Sequence, residues 1–156
     1  MKSFVDLVGR ASVILAALGT ALAPPVIRVA LGLPFLRSGL TRWDPFPALS
    51  VATQYLFENQ FKLHLFGSLV DLPASDLLAY VTAIAEILLP LLLFLGLATR
   101  FAAFGLLIMT GTIQLIVPDG WVNYHLCWAA LALSALALGP GPLSLDWAIA
   151  RLLPRS

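Results

Sequence analysis

The chain has 156 residues, of which 60% are hydrophobic and only 11% are charged. A soluble domain carries about a quarter charged residues because its surface must face water, so a soluble globular protein is excluded. A net charge of +1 without a basic cluster excludes a nucleic-acid-binding surface. Cys127, the one cysteine, excludes an internal disulfide. The composition therefore predicts an integral membrane protein.

Four stretches approach the length of about 20 apolar residues that a helix needs to cross a bilayer. The predicted spans cover about residues 24–43, 76–98, 101–117 and 121–138. Turn residues separate or end them: Thr99-Arg100 after the second, Pro118-Asp119-Gly120 after the third and Gly139-Pro140-Gly141-Pro142 after the fourth. The predicted fold class is all-α, an integral membrane four-helix bundle over residues 24–156.

Residues 1–23 precede the first predicted span. Lys2, Asp6 and Arg10 are spaced at i, i+4 and i+8 on one helical face, and an apolar run follows over residues 13–23. This pattern predicts an amphipathic N-terminal helix at the inner membrane interface. A fifth span and a signal peptide ending in an Ala-x-Ala pattern remain alternatives.

The placement of Lys and Arg predicts the orientation of the bundle. Residues on the side of the termini are Lys2, Arg10, Arg28, Arg100, Arg151 and Arg155. The opposite side carries Arg42 and Lys62. Positive residues collect on the cytoplasmic side, so we expect a multi-pass protein of the bacterial cytoplasmic (inner) membrane with both termini in the cytoplasm.

The long connection over residues 44–75 is then expected on the outer face. Phe57 and Phe61 lie one helical turn apart, and Glu58 and Lys62 form an i,i+4 pair beside them. Aromatic residues next to charges at the end of a span indicate an interfacial helix. We expect this helix to cover the mouth of the bundle, with substrate contact as a second role.

Glu86 falls near the middle of the second span, where a charged side chain costs at least about 2.5–3.5 kcal/mol. It continues a row of small residues, which predicts that it faces the bundle interior. Arg28 lies on the glycine-bearing face of the first span, whereas Arg37 lies on the other side unless Pro34 kinks the helix. We expect Glu86 to form a buried ion pair with an arginine of the first span. Arg28 shares the glycine face and Arg37 is nearer to Glu86 in depth, so the pair of Arg28 and Glu86 and the pair of Arg37 and Glu86 both stand.

Three residues of the third and fourth spans, Gln114, His125 and Trp128, are expected to face inward near the outer surface. Together with Arg37 and Glu86 they predict a polar pocket that opens outward. Glu86 and His125 are the catalytic candidates, and the other three are the candidates for substrate binding. The structural alternative is that Glu86 only joins helices and that His125 and Trp128 are packing residues.

These segments together resemble the DoxX family of small bacterial four-span membrane proteins. The resemblance runs through residues 28–43, Ala85-Glu86, residues 95–100, His125-x-x-Trp128 and residues 139–146, and covers about residues 28–151. Arg42 stands where many members carry Lys. The resemblance points to Arg28, Gly39, Glu86 and Arg100 as family-pattern positions.

The resemblance implies association with membrane redox or oxidative-stress complexes, thiosulfate:quinone oxidoreductase among them. We expect an accessory or anchor subunit of a membrane redox or stress-response system. The alternatives are a quinone-interacting oxidoreductase subunit and a small solute permease.

No metal or resident cofactor is predicted in the chain itself, since it has no Cys-x-x-Cys and no phosphate-binding loop. Quinone is the expected cofactor of the enzymatic alternative. The expected partners are the lipid bilayer and another redox protein, membrane-bound or soluble, with a homo-oligomer left open.

Overall fold

The structure, a computed structural model, describes residues 2–152, with side chains from residue 4 onward. Its first elements are α1 (Lys2–Leu40), α2 (Val51–Tyr55), a π-helical turn (Leu56–Gln60), β1 (Lys62–Leu65) and β2 (Ser68–Asp71). Its later elements are α3 (Ser75–Leu95), α4 (Thr99–Ile116), a 3₁₀ turn (Pro118–Gly120), a second π-helical turn (Trp121–His125), α5 (Leu126–Leu138) and α6 (Leu145–Leu152).

Four segments within residues 2–152 are long and apolar enough to cross a membrane: Phe4–Leu40, Ser75–Leu95, Thr99–Ile116 and Pro118–Leu138. α1 packs on α3 and α5, and α4 packs between α3 and α5. The core they enclose includes Phe35, Leu93 and Leu106. The predicted all-α membrane bundle is therefore confirmed.

α1 differs from the prediction because it is a single helix of 39 residues that passes through Pro24 and Pro25. The boundary predicted between an N-terminal helix (1–23) and a first span (24–43) is wrong as a helix boundary. The fixed φ of proline is compatible with a helix, and membrane helices tolerate the lost amide donor where other groups satisfy the freed carbonyl oxygens. At ~1.5 Å per residue, α1 is about 58 Å long, roughly twice the thickness of the hydrocarbon core.

The N-terminal half of α1 extends beyond the bundle. The side chains of residues 4–20 are all exposed, and the first buried residue of the helix is Pro24. The side chain of Lys2 and the whole of Arg155, two of the residues that predict the orientation, lie outside the described part of the chain.

The connection between α1 and α3 is helical only in α2 and the following π-helical turn. β1 and β2 then form an antiparallel hairpin in which Lys62 pairs with Asp71. The predicted pair between Glu58 and Lys62 is wrong, because Phe61 turns into an extended conformation and places Lys62 in a strand. Phe57 and Phe61 still touch, edge to face, with ring centroids 5.1 Å apart.

Candidate functional site

Two glycines of α1 allow this helix to approach α3 closely. A Cβ on Gly39 would lie 2.8 Å from the Cβ of Glu86 and 2.9 Å from its backbone carbonyl carbon. A Cβ on Gly32 would lie 2.7 Å from the ring of Phe94. Small residues at helix contacts in membranes bring the two backbones together. The glycine face therefore sets the end of α1 against Glu86, in the middle of α3.

Glu86 is almost fully enclosed, with 2% of its side chain exposed, and it forms an ion pair with Arg42. Arg42 Nε donates to Oε2 at 2.9 Å, and Nη2 donates to Oε1 at 3.1 Å. Ser38 Oγ also donates to Oε1, at 3.1 Å. Two parallel bonds from one guanidinium are a strong arrangement for an arginine–carboxylate pair. Both oxygens of the buried carboxylate therefore have donors.

The predicted pair between Arg28 and Glu86 is wrong. Arg28 lies near the other end of α3, where its Nη2 donates to the carbonyl oxygen of Leu143. An ideal Cβ on Gly96 would collide with its Nη1, which shows that the guanidinium packs against the end of α3. Arg28 and Glu86 thus lie on facing sides of two helices but at different depths.

Arg37 is not the partner of Glu86 either. Its side chain is exposed, on the side of α1 opposite the buried Arg28 and Gly39. α1 continues through Pro34 as a helix, so the turn of about 100° per residue is kept and Arg37 stays outside. The predicted role of Arg37 in lining an internal pocket is therefore corrected, and Arg42 takes that place.

A cavity of about 250 Å³ lies beside the ion pair, between α1, α3, α4, α5 and the connection that follows α1. Its lining residues are Ser38, Arg42, Phe57, Phe61, Leu72, Leu78, Thr82, Glu86, Met109, Thr112, Ile113, Ile116, Val117 and Trp128. Most are apolar, and Arg42 and Glu86 are the charged pair among them. Apolar walls with a few oriented polar groups are typical of small-molecule sites.

The connection after α1 is joined to the ion pair at Arg42. Its guanidinium lies over the ring of Phe57, 5.5 Å from the centroid. Its carbonyl oxygen accepts bonds from the amide of Ser50 at 2.9 Å and the hydroxyl of Thr53 at 3.3 Å. One residue therefore positions both the carboxylate of Glu86 and the aromatic wall of the cavity.

The predicted pocket is only partly assembled, because Trp128 lines the cavity whereas Gln114 and His125 lie outside its lining. His125 is 4% exposed, and its Nδ1 lies 2.6 Å from Gln114 Oε1. Gln114 Nε2 donates to the carbonyl of Pro118 at 3.0 Å, so its Oε1 accepts and His125 Nδ1 carries the proton. The imidazole packs on Trp128 with centroids 5.4 Å apart. His125 therefore lies behind the wall that Trp128 forms.

Sequence reasoning missed Arg42 and Ser38 as site residues. The sequence by itself predicts only that Arg42 is a charge at the outer end of a span. Its position on the same helical face as Gly39 directs it towards α3, because the glycine marks where the neighbouring helix comes closest. Arg28 shares this face, so the face alone does not select Arg42.

A second polar cluster lies at the opposite end of the bundle, away from the cavity. Asp146 accepts bonds from the amides of Ala98 at 2.8 Å and Thr99 at 2.9 Å, where α4 begins. Burial opposes ionisation of Asp146, but the two amide bonds and the nearby charge of Arg28 outweigh it and lower its pKa. Among the described residues, Arg28 Nε and Nη1 have no hydrogen-bond partner. This cluster holds the C-terminal segment on the bundle.

The fold and the site define a multi-pass helical membrane protein with a buried arginine–glutamate pair beside an apolar cavity. A family model described as DoxX matches residues 23–119, more than half of the chain. The chain therefore belongs to the DoxX family, as the sequence resemblance predicted. No curated protein and no solved structure matches the chain.

Proposed function

We propose that this DoxX protein is an accessory subunit of a bacterial membrane redox system and that its cavity receives the ring of a quinone-type lipid. The observation that carries the proposal is the apolar cavity of about 250 Å³ that ends at the ion pair of Arg42 and Glu86. Such a site offers apolar walls to a ring and a charged end to its oxygen atoms.

The size of the cavity supports a headgroup as the ligand. Its volume of about 250 Å³ is below the roughly 300–1,000 Å³ of pockets for drug-sized molecules. A ring therefore fits, while a long apolar tail remains in the surrounding lipid. Phe57 and Trp128 supply aromatic faces for the ring.

The charged end of the cavity, formed by Arg42 and Glu86, suits both oxidation states of a quinone. Arg42 Nη1 takes no part in the bonds to Glu86 or Ser38, so it is left to donate to a ring carbonyl. Glu86 offers an acceptor to a quinol hydroxyl. In this proposal the reduction of a quinone to a quinol takes two electrons from a partner redox protein and two protons from water, which Glu86 passes on. His125 contributes through Trp128, which it supports from behind.

A second candidate function is that of an anchor that only assembles a redox partner. The close approach of Gly39 to Glu86 favours it, because the ion pair then serves as a contact between α1 and α3. The two functions differ in whether the cavity binds a ligand.

The proposal also places both termini in the cytoplasm. Arg28 and Arg100 lie at one end of the packed helices and support this orientation through the positive-inside rule. Single cysteines in a Cys127→Ser background, probed with an impermeant thiol reagent on intact cells, would test it. A cysteine in the β1–β2 hairpin should react, and labelling near α6 instead would reverse the orientation.

The ligand test uses the full chain in lipid nanodiscs and a short-tailed quinone. Quinones quench tryptophan fluorescence, so saturable quenching that falls in Trp128→Phe reports occupancy of the cavity. Arg42→Gln should weaken binding at least tenfold. Arg37→Gln is the matched control, since this arginine is exposed on the other side of α1, and it should bind as the parent does.

Two results would overturn quinone binding. One is the absence of saturable quenching by a folded protein, and the other is equal affinity in Arg42→Gln and the parent. Ile113→Phe provides a variant that fills the cavity while leaving the ion pair in place. It should also lose binding. If a redox partner copurifies with a chain that binds no quinone, the anchor function is correct.

A further inference from the structure

α6 has an apolar side that the described part of the chain leaves partly exposed. Leu145, Ile149 and Leu152 are 43%, 44% and 83% exposed. At 100° per residue these three positions lie within about 60° of one another. Arg151 and Trp147 lie on the opposite side of the helix, with the guanidinium 3.8 Å from the centroid of the indole ring. α6 is therefore amphipathic and short.

The depth of α6 is set by its bonds to the connection between α3 and α4. The amide of Asp146 donates to the carbonyl of Gly96 at 2.9 Å, and its carboxylate accepts from the amides of Ala98 and Thr99. This connection joins the spans Ser75–Leu95 and Thr99–Ile116, so it marks the level at which the chain leaves the bilayer. α6 therefore begins at the membrane surface.

Two further contacts hold the start of α6. Arg28 donates to the carbonyl of Leu143, and the hydroxyl of Ser144 accepts from the amide of Trp147 at 3.2 Å. The hydroxyl thereby caps the helix start. Since Arg28 belongs to α1 and Thr99 to α4, two spans and the connection between α3 and α4 fix the position of this helix.

We propose that α6 is an interfacial anchor that inserts Leu145, Ile149 and Leu152 into the boundary between lipid headgroups and acyl chains. The apolar surface of the spans continues to this helix through Leu138 and Leu143, both exposed. An amphipathic helix at this depth buries its apolar side in the boundary and keeps its charged side in water. The occupant of this face is thus the bilayer, and the inference is independent of quinone binding.

The test measures the depth of two spin labels on opposite sides of α6. In a Cys127→Ser background, Ile149→Cys and Arg151→Cys each carry a nitroxide, in nanodiscs of phosphatidylethanolamine and phosphatidylglycerol. Power-saturation EPR compares collisions with oxygen, which concentrates in lipid, and with a nickel chelate, which stays in water. We expect the label at position 149 to favour oxygen and the label at position 151 to favour nickel.

Equal access of nickel to both labels would overturn the proposal. Shielding of the label at position 149 from both reagents would also overturn it, since a protein surface would then cover this face. Asp146→Ala in the Ile149→Cys background removes the two carboxylate bonds to Ala98 and Thr99 and leaves the amide bond to Gly96. It should increase the mobility of the label and reduce its preference for oxygen, and an unchanged spectrum would contradict the positioning role of Asp146.

Discussion

Gly39 lies so close to Glu86 that no side chain fits between the two helices that carry them. A Cβ on Gly39 would lie 2.8 Å from the Cβ of Glu86 and 2.9 Å from Ile87 Cγ1. The same contact brings Arg42, which follows three residues later, within reach of the carboxylate. The absence of a side chain at Gly39 is therefore a condition for the buried ion pair.

Gly39→Ala should destabilise the protein by about 1–3 kcal/mol, because the added methyl group forces α1 and α3 apart. The free energy of unfolding in mixed micelles measures the effect. Gly111→Ala in α4 is the matched control, since a Cβ there meets nothing within 4 Å. It should be neutral or stabilising by up to about 1 kcal/mol, because alanine favours a helix more than glycine does. Equal effects of the two substitutions would contradict the close contact.

Arg42→Ala should lower the free energy of unfolding by about 3–5 kcal/mol, because it leaves the charge of Glu86 buried without a partner. The double variant Arg42→Ala with Glu86→Gln removes that charge and should recover part of the loss. A double variant as unstable as the sum of the two single variants would show that the residues do not interact.

Arg42→Lys tests the geometry of the pair rather than its charge. A lysine keeps the positive charge but cannot form the two parallel bonds to Oε1 and Oε2. We therefore expect a loss of stability smaller than that of Arg42→Ala. A lysine variant as stable as the parent would show that charge alone is enough at this position.

The stabilising effect of Asp146 should disappear in acid. Its folded-state pKa is lowered below the ordinary value of 3.8. Its contribution is therefore complete above the unfolded-state pKa and is lost as the pH falls through the folded-state pKa. The difference in unfolding free energy between the parent and Asp146→Asn should shrink as the pH falls below 3.8. A difference that stays constant with pH would contradict this role.

Gly120→Ala should displace the imidazole of His125, because the added Cβ would lie 2.5 Å from Cε1 and 2.7 Å from Nε2. The 2.6 Å contact between His125 Nδ1 and Gln114 should then break. Nitrogen NMR of the imidazole reports the loss of the fixed Nδ1 proton. The fluorescence of Trp128, which packs on this ring, should change with it. An unchanged imidazole spectrum would show that the contact tolerates a side chain.

The inward orientation of Glu86 followed from its row of small residues, and the structure confirms it, since Ala79, Ala83 and Pro90 are buried on the same face. This prediction needed only the helical repeat and the cost of a charge in lipid, and both are local properties. Local sequence properties did not determine the partner of Glu86. Arg28 and Arg42 share one face of α1, and nothing along the chain says which of them is level with Glu86.

The conformation of the connection after α1 also could not be predicted from local sequence patterns. The aromatic spacing of Phe57 and Phe61 is compatible with a helix, and the two rings do touch. The chain nevertheless leaves the helix at Phe61 and forms the β1–β2 hairpin, in which Lys62 faces Asp71 across the strands. An ion pair across strands depends on a turn that the spacing of charges in a helix cannot reveal.

The scarcity of charge, 11% of the residues, and the four apolar runs determined by themselves that the chain is a helical membrane protein. They did so because a bilayer excludes charges and demands helices of a set length. The tertiary structure decided which charges meet. The relative depth of α1 and α3 depends on the contact at Gly39, and this depth selects Arg42 for Glu86 and leaves Arg28 to the C-terminal segment.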